Sequence, residues 1–378
     1  MAFVLIPPVH IPRGVIMDRQ SSHIRQGLVL VLLTGVLAAC GGEGESPGGG
    51  GLSPTSTLPP TGDVGQQHGG LAACPPGVEV SGDIQPGTTS APECGSSKYT
   101  LFSNVAYASG GSHLLDLYVP KTGTAPFKTV IWVHGGGWKS GDKTNVNQAK
   151  HLVCRGYALA SINYRLSDEA KFPAQIHDVK AAIRFLRANA GRYGLNPQRF
   201  ALFGSSAGGH LAALGGTSGG VADLEDLTMG NAGFSSRVQA VVDWYGPTDF
   251  KQMDTQLRDQ GCSTGGHSSP TSGESLLLGC TVGDAACASA VSRANPVTYA
   301  NAGDPPTLLM HGTADCVVPG AQSGLLRDAL SAAGTCNAFR PVLGAGHGTP
   351  HWLTAPVQEP VAAFLDAVLA SPGLTPPP

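Results

Sequence analysis

Residues 199–215 read RFALFGSSAGGHLAALG. The stretch begins as a short apolar run, Phe200-Ala201-Leu202-Phe203, breaks at Gly204-Ser205-Ser206-Ala207-Gly208, and continues rich in Ala and Leu. The pattern predicts a strand, a tight turn carrying a serine, and a helix. Such a turn exposes the serine and aims the free N–H groups of a helix N-terminus at whatever the serine attacks. Small residues at minus two and plus two let strand and helix pass closely. A purely structural glycine bend is the alternative.

The Gly-x-Ser-x-Gly pattern alone does not decide between them. It occurs at Ser46, Ser206, Ser218 and Ser263, in a chain with 53 glycines. Ser46 lies in a polar Gly/Pro tract, and Ser218 and Ser263 follow no apolar strand. Only Ser206 has the strand before it and the helix after it.

Around this stretch, strands and helices alternate. Buried-strand runs are expected at Lys128–His134, Tyr157–Tyr164, Val238–Trp244, Thr307–His311 and Ala338–Leu343. Helices are expected at about 145–155, 174–190, 321–333 and 356–369, the second with Ile176, Val179, Ile183 and Leu186 at helical spacing. Edge strands are expected at Tyr99–Phe102 and His113–Val119. This is an α/β fold with a mostly parallel sheet flanked by helices on both faces, whose ligands gather at the carboxyl ends of the strands. His134–Trp138, Ser206, Asp243, Asp249, His311, Asp315 and His347 fall at those ends.

The chain has 378 residues, 41% hydrophobic and 13% charged, with a formal net charge of −3, which gives no reason to expect a nucleic-acid partner. Nine cysteines suit an oxidising compartment. Residues 17–40 carry Arg19 and Arg25, then an apolar run from Gly27 to Ala39, then Cys40. That run is short for a span and resembles a bacterial lipoprotein signal, with Cys40 lipidated and Met17 as the working start. An ordinary secretory signal or a buried apolar strand is the alternative. Expected domains are therefore a signal region at 1–40, a flexible Gly/Ser/Pro-rich linker and loop at 41–97, and a catalytic domain at 98–378. Export follows, with the membrane touched only through a lipid at Cys40. Cys74 and Cys94 bracket a Pro/Gly-rich segment and are candidates for a local disulfide, or are unrelated thiols.

Acyl transfer needs a nucleophile, a base, a group to orient the base, and donors for the oxyanion. Ser206, Asp315 and His347 each follow a strand, in the chain order Ser, Asp, His. Gly135-Gly136-Gly137 follows another strand and can turn N–H groups towards a carbonyl oxygen; a tight turn without a ligand is the alternative. His134 is expected to be structural, holding this loop by a hydrogen bond. His210 and His351 are rival bases, and Asp249, Asp284 and Asp304 rival acids, with capping or surface roles as their alternatives. No Cys-x-x-Cys, His-Glu-x-x-His, dinucleotide fingerprint or Walker loop is present in the sequence. Neither metal nor cofactor is expected.

From about residue 98 onwards the chain resembles the α/β-hydrolase superfamily, and within it the secreted esterases and lipases that are feruloyl-esterase-like or hormone-sensitive-lipase-like. The matching pieces are HGGGW at 134–138, INYRLS at 162–167, GSSAGGHLA at 204–212, SRANPVTY at 292–299, PPTLLMHGTADCVVP at 305–319 and GAGHG at 344–348. The resemblance implies Ser206 as nucleophile, Asp315 as acid and His347 as base. It implies an oxyanion hole from the N–H groups of Gly136, Gly137 and Ala207. The expected activity is a serine carboxylesterase acting on short or medium acyl esters or on acyl groups of polysaccharide; an amidase or prolyl-oligopeptidase-like peptidase is the runner-up. The resemblance leaves Phe250–Ala290 as an insertion. Cys280–Cys287 and Cys316–Cys336 are expected disulfides, and Cys154 a buried free thiol.

Overall fold

The computed structural model describes residues 74–263 and 266–370. The expected signal region 1–40 with Cys40 and Met17, and the expected linker up to residue 73, lie outside the described residues.

The sheet has eight strands: β1 (Tyr99–Ala106), β2 (Leu114–Pro120), β3 (Phe127–Val133), β4 (Ala158–Ile162), β5 (Leu195–Ser205), β6 (Ala240–Trp244), β7 (Thr307–Gly312) and β8 (Asn337–Val342). Their order is β1-β2-β4-β3-β5-β6-β7-β8. The β1–β2 and β2–β4 pairs are antiparallel, and every pair from β4 to β8 is parallel. Parallel strands covered on both faces have no solvated side, and β4, β6 and β7 are buried along their whole length. In β3 the side chains alternate: Ile131 and Val133 join one core with Ile176, Val179 and Leu211, while Val130 and Trp132 join the other with Phe203, Trp244 and Leu365.

The covering helices are α1 (Asn147–Lys150), α2 (Ala174–Ala188), α3 (Ala190–Tyr193), α4 (Ala207–Thr217), α5 (Met253–Asp259), α6 (Gly273–Leu278), α7 (Ala288–Ala294), α8 (Ala321–Ala332) and α9 (Ala355–Ala370). The helix expected at 145–155 is instead the single turn α1 followed by a 3-10 turn, His151–Arg155, ended at Gly156 in the left-handed region. The β4 strand starts so soon afterwards that a longer helix has no room.

Strand β3 sits between β4 and β5, so the chain leaves β3 towards one side of the sheet and later returns to the other. The carboxyl ends of β3 and β5 therefore lie side by side, with Val133 opposite Gly204. This reversal point opens a crevice at the strand ends.

Residues 74–97 correct the expected linker boundary, because they pack on the domain. Phe339 N–H donates to Val80 O at 3.0 Å, Ile84 N–H to Pro341 O at 2.7 Å, and Leu343 N–H to Ile84 O at 2.9 Å. Ile84 thus bridges Val342 beyond the outer edge of β8. A segment laid along the sheet cannot close on itself, so Cys74 and Cys94 are not paired to each other. Cys74 is bonded to Cys336 and Cys94 to Cys154, which also removes the free thiol expected at Cys154. Cys316 is bonded to Cys262 instead of Cys336. The reason is topological: β7 and β8 are parallel, Cys336 precedes β8, and Cys316 follows β7, so the two cysteines lie at opposite ends of the sheet. Cys280–Cys287 forms as expected.

Candidate active site

Ser206 sits between β5 and α4 with φ 55 and ψ −124, a strained backbone for a residue with a Cβ. The crowding around it explains the flanking glycines. A Cβ on Gly204 would lie 2.1 Å from Gly208 O, and one on Gly208 would lie 2.0 Å from Val133 O. The strand, the turn and the end of β3 are packed at backbone contact.

His347 lies in the loop after β8, and Trp352 Nε1–H donates to Gly346 O at 2.9 Å, holding that loop. The Tyr245 ring packs edge-on against His347, centroids 4.7 Å apart. His347 Nδ1 is 2.8 Å from Asp315 Oδ2, and Nε2 is 2.8 Å from Ser206 Oγ. A carboxylate only accepts, so Nδ1 carries the proton and Nε2 is left to accept from the serine hydroxyl. Asp315 Oδ1 accepts from the N–H groups of Val317 and Val318 at 2.9 and 3.0 Å. Burial opposes the Asp315 charge, but the His311 and His347 rings beside it outweigh that penalty and hold the carboxyl well below the usual carboxylate range. The three residues expected from the strand ends are thus brought together.

The glycine loop after β3 is braced from below. His134 stacks on Tyr164 at 4.5 Å, its Nδ1 is 2.8 Å from Gly135 O, and Tyr164 O–H donates to His134 O at 3.0 Å. Burial lowers the pKa of His134, which fits a neutral structural ring. Ser167 N–H donates to Trp138 O at 2.7 Å. Gly136, Gly137 and Ala207 line the same cavity of about 540 Å³ as Ser206 and His347.

The rivals are occupied elsewhere. His210 is buried under the elbow, where Trp138 Nε1–H donates to its Nδ1 at 3.2 Å and its Nε2 lies 2.8 Å from Ala294 O. His351 Nδ1 lies 3.0 Å from Thr349 Oγ1. Asp249 caps the turn at Phe250–Gln252 and accepts from Asn295 Nδ2 at 3.0 Å. Asp304 closes a loop on Asn301, and Asp284 stands before the 3-10 turn Ala285–Cys287. Asp243 is fully buried beneath the elbow, accepts from Gly246 N–H at 2.8 Å, and is pushed up to about 7 by burial.

Five lining residues escape a reading of the sequence. Ser205 Oγ–H donates to Gln148 Oε1 at 2.9 Å, and Gln148 Nε2–H donates to Tyr245 O–H at 2.7 Å, forming a polar floor beside Ser206. His267 and Glu274 form the wall contributed by the insertion. Tyr245 directly follows β6, so its strand-end position was a usable signal. His267 and Glu274 carried none, because the insertion has no periodicity that locates it over the site.

The BD-FAE family model matches residues 115–330, more than half of the chain. The chain belongs to the BD-FAE family. Relatives within reach of this BD-FAE chain include Esterase LipC of Mycobacterium tuberculosis, 29% identical over 287 residues, covering 73% of this chain and 68% of the relative. Esterase LipQ of the same organism is 32% identical over 240 residues, covering 61% of this chain and 53% of the relative. Among solved structures, a truncated carbohydrate esterase from gut microbiota superposes with a TM-score of 0.67 at 32% identity, over 74% of this chain and 100% of that one. The Bacteroides eggerthii bifunctional GH43-CE protein does so with a TM-score of 0.63 at 37% identity, over 70% of this chain and 37% of that one. The BD-FAE chain is an α/β-hydrolase of the esterase class.

Proposed function

We propose that this BD-FAE protein is a serine carboxylesterase working through Ser206, His347 and Asp315. One observation carries the reading: two hydrogen bonds of 2.8 Å run in series from Ser206 Oγ through the His347 ring to Asp315. His347 Nε2 takes the serine proton as Oγ attacks the ester carbonyl, and Asp315 steadies the imidazolium that forms. The N–H groups of Ala207, Gly136 and Gly137 hold the oxyanion of the tetrahedral intermediate. His347 then gives its proton to the departing alcohol, leaving an acyl group on Ser206. Water, deprotonated by His347, attacks this acyl-enzyme and releases the acid.

The substrates are esters of short or medium acyl chains, or acyl groups carried on polysaccharide. A carbohydrate esterase among the solved relatives supports the second class. The amidase or peptidase reading is not favoured, since the named relatives are esterases. The test is hydrolysis of p-nitrophenyl acetate and butyrate by wild type and Ser206→Ala, with fluorophosphonate labelling alongside. Wild type should hydrolyse and label, and the variant should do neither. Hydrolysis that survives the substitution sinks the mechanism.

The enzyme is exported and held at a bacterial membrane by a lipid on Cys40. The apolar run ahead of Cys40 and four disulfides, which suit an oxidising compartment, support this. Cells fed a labelled fatty acid should label the wild-type protein and not Cys40→Ser; equal labelling of both removes the anchor.

A further inference from the structure

The turn Asp315–Val318 is gripped on both sides. Inside, the N–H groups of Val317 and Val318 hold Asp315 Oδ1. Outside, two imidazoles take the two carbonyls of the same residues. His311, in β7, reaches Val318 O with Nε2 at 2.9 Å. His267, from the insertion, reaches Val317 O with Nε2 at 2.9 Å.

The two rings differ at their other nitrogen. His311 Nδ1 faces the Ser323 hydroxyl at 2.8 Å. A hydroxyl can donate, so a neutral ring with its proton on Nε2 satisfies both neighbours. His267 Nδ1 faces Glu274 Oε1 at 2.9 Å. A carboxylate and a carbonyl both accept, and a neutral imidazole has one N–H. Only the imidazolium satisfies both.

We infer that His267 is a positioning residue for ester hydrolysis: its imidazolium ties the insertion to the turn that carries Asp315, and so sets how that carboxylate meets His347. This rests on Asp315 being the acid of the triad.

The surroundings favour the cation. Asp254, on α5, accepts from the backbone N–H groups of His267 and Ser268, both at 2.8 Å, which brings a second carboxylate close. Glu274 comes from α6, and the turn brings Asp315, whose own carboxylate faces His347 and His311. Burial opposes the charge on His267, yet the Glu274 hydrogen bond and charge outweigh it and raise its pKa above the ordinary histidine value. His267, Glu274 and Val317 also line the cavity that holds Ser206 and His347, so the tie lies at the wall of the site. When His267 loses its proton, one of its two acceptors loses its donor. The insertion and the turn then part company, and turnover falls as pH rises.

Three variants test this with p-nitrophenyl acetate from mildly acidic to mildly alkaline pH. His267→Phe keeps a ring and removes both donors; kcat should fall about tenfold or more, with a smaller change in KM, because misplaced catalytic groups lose rate steeply. His267→Gln keeps one donor and does not titrate. It should recover most of the kcat that phenylalanine loses, and its profile should lack the alkaline decline. Glu274→Gln removes the charge that favours the imidazolium, so the decline should move to lower pH. An unchanged alkaline limb in His267→Gln, or a change in KM alone in His267→Phe, overturns the inference. If the phenylalanine variant does not fold, the two glutamine variants still decide. The outcomes separate from the parent reading: full activity in Ser206→Ala refutes the mechanism, whereas an inactive Ser206→Ala beside wild-type behaviour in all three variants refutes only the role of His267.

Discussion

Cys316, the residue after Asp315, is bonded to Cys262 in the insertion between β6 and β7. Gln260 reinforces the same junction, its Nε2–H donating to Asp315 O at 2.9 Å. The turn bearing Asp315 is therefore tied covalently to the wall of the cavity. A bond spanning 54 residues stabilises mainly by restricting the unfolded chain, typically by about 2–4 kcal/mol. Cys262→Ser should lower the thermal midpoint by several degrees and lower kcat with it. Reduction of the wild type should do the same. A variant that keeps both values would show that hydrogen bonds alone hold the turn.

The elbow makes a sharper claim about backbone packing. Gly208→Ala would place a Cβ 2.0 Å from Val133 O, where only backbone could yield. Overpacking of this kind costs about 1–3 kcal/mol or more, and here it also moves Ser206. We expect little activity and a lower unfolding midpoint. Gly191, in α3, is the control, since a Cβ there meets nothing within 4 Å. Gly191→Ala should be neutral or stabilising by up to about 1 kcal/mol. Equal loss in both variants would refute the packing argument.

Much of this was legible because the parallel sheet turns local signals into positions. A run such as Val130–Val133, followed by glycines, can only be a strand end, and strand ends of one sheet meet. That logic brought Ser206, Asp315 and His347 together from residues far apart in the chain. It failed for the cysteines, because disulfide pairing depends on which end of the sheet each one reaches. Cys74 found Cys336 only because the chain around Val80–Ile84 runs along β8, and nothing in that Pro/Gly-rich segment announces a sheet edge. It failed again for His267 and Glu274, whose placement is set by packing of the insertion over the site.

The role proposed for Asp315 has its own test. Asp315→Asn keeps the shape but lets an amide face His347 Nδ1, which favours the wrong tautomer and removes the charge that steadies the imidazolium. A loss of about 10⁴ in kcat is the order expected of such a change. Because Asp315 is held well below the ordinary carboxylate range, it stays ionised through the working pH. The acidic limb of the wild-type profile should then show a single ionisation, with none from Asp315. A second ionisation near the usual carboxylate value would mean that Asp315 is not held as the hydrogen bonds require. A variant within a few-fold of wild type would return Asp249 to consideration.

A histidine away from the chemistry contributes to the acid stability. His151 follows α1, and burial is the largest cause of its pKa being lowered to about 4; the nearby Arg155 charge adds to it. In the unfolded chain the value returns to about 6.5. Between these values the unfolded state binds a proton that the folded state does not, so stability falls as pH drops from about 6.5 to about 4. Above the upper value both states are neutral there, and the histidine contributes no slope. Asp243 acts in the opposite sense: its folded value of about 7 means that the native state is the one holding the proton over the same range. The whole-protein curve mixes both signs, so the difference between two proteins is the clean measurement. His151→Leu removes one titrating group. The gap in unfolding free energy between variant and wild type should be flat at neutral pH and shift in favour of the variant on acidification. The full shift is on the order of 3 kcal/mol. A gap that stays constant from neutral pH down to about 4 would mean that His151 takes up its proton in the folded protein as easily as in the unfolded chain.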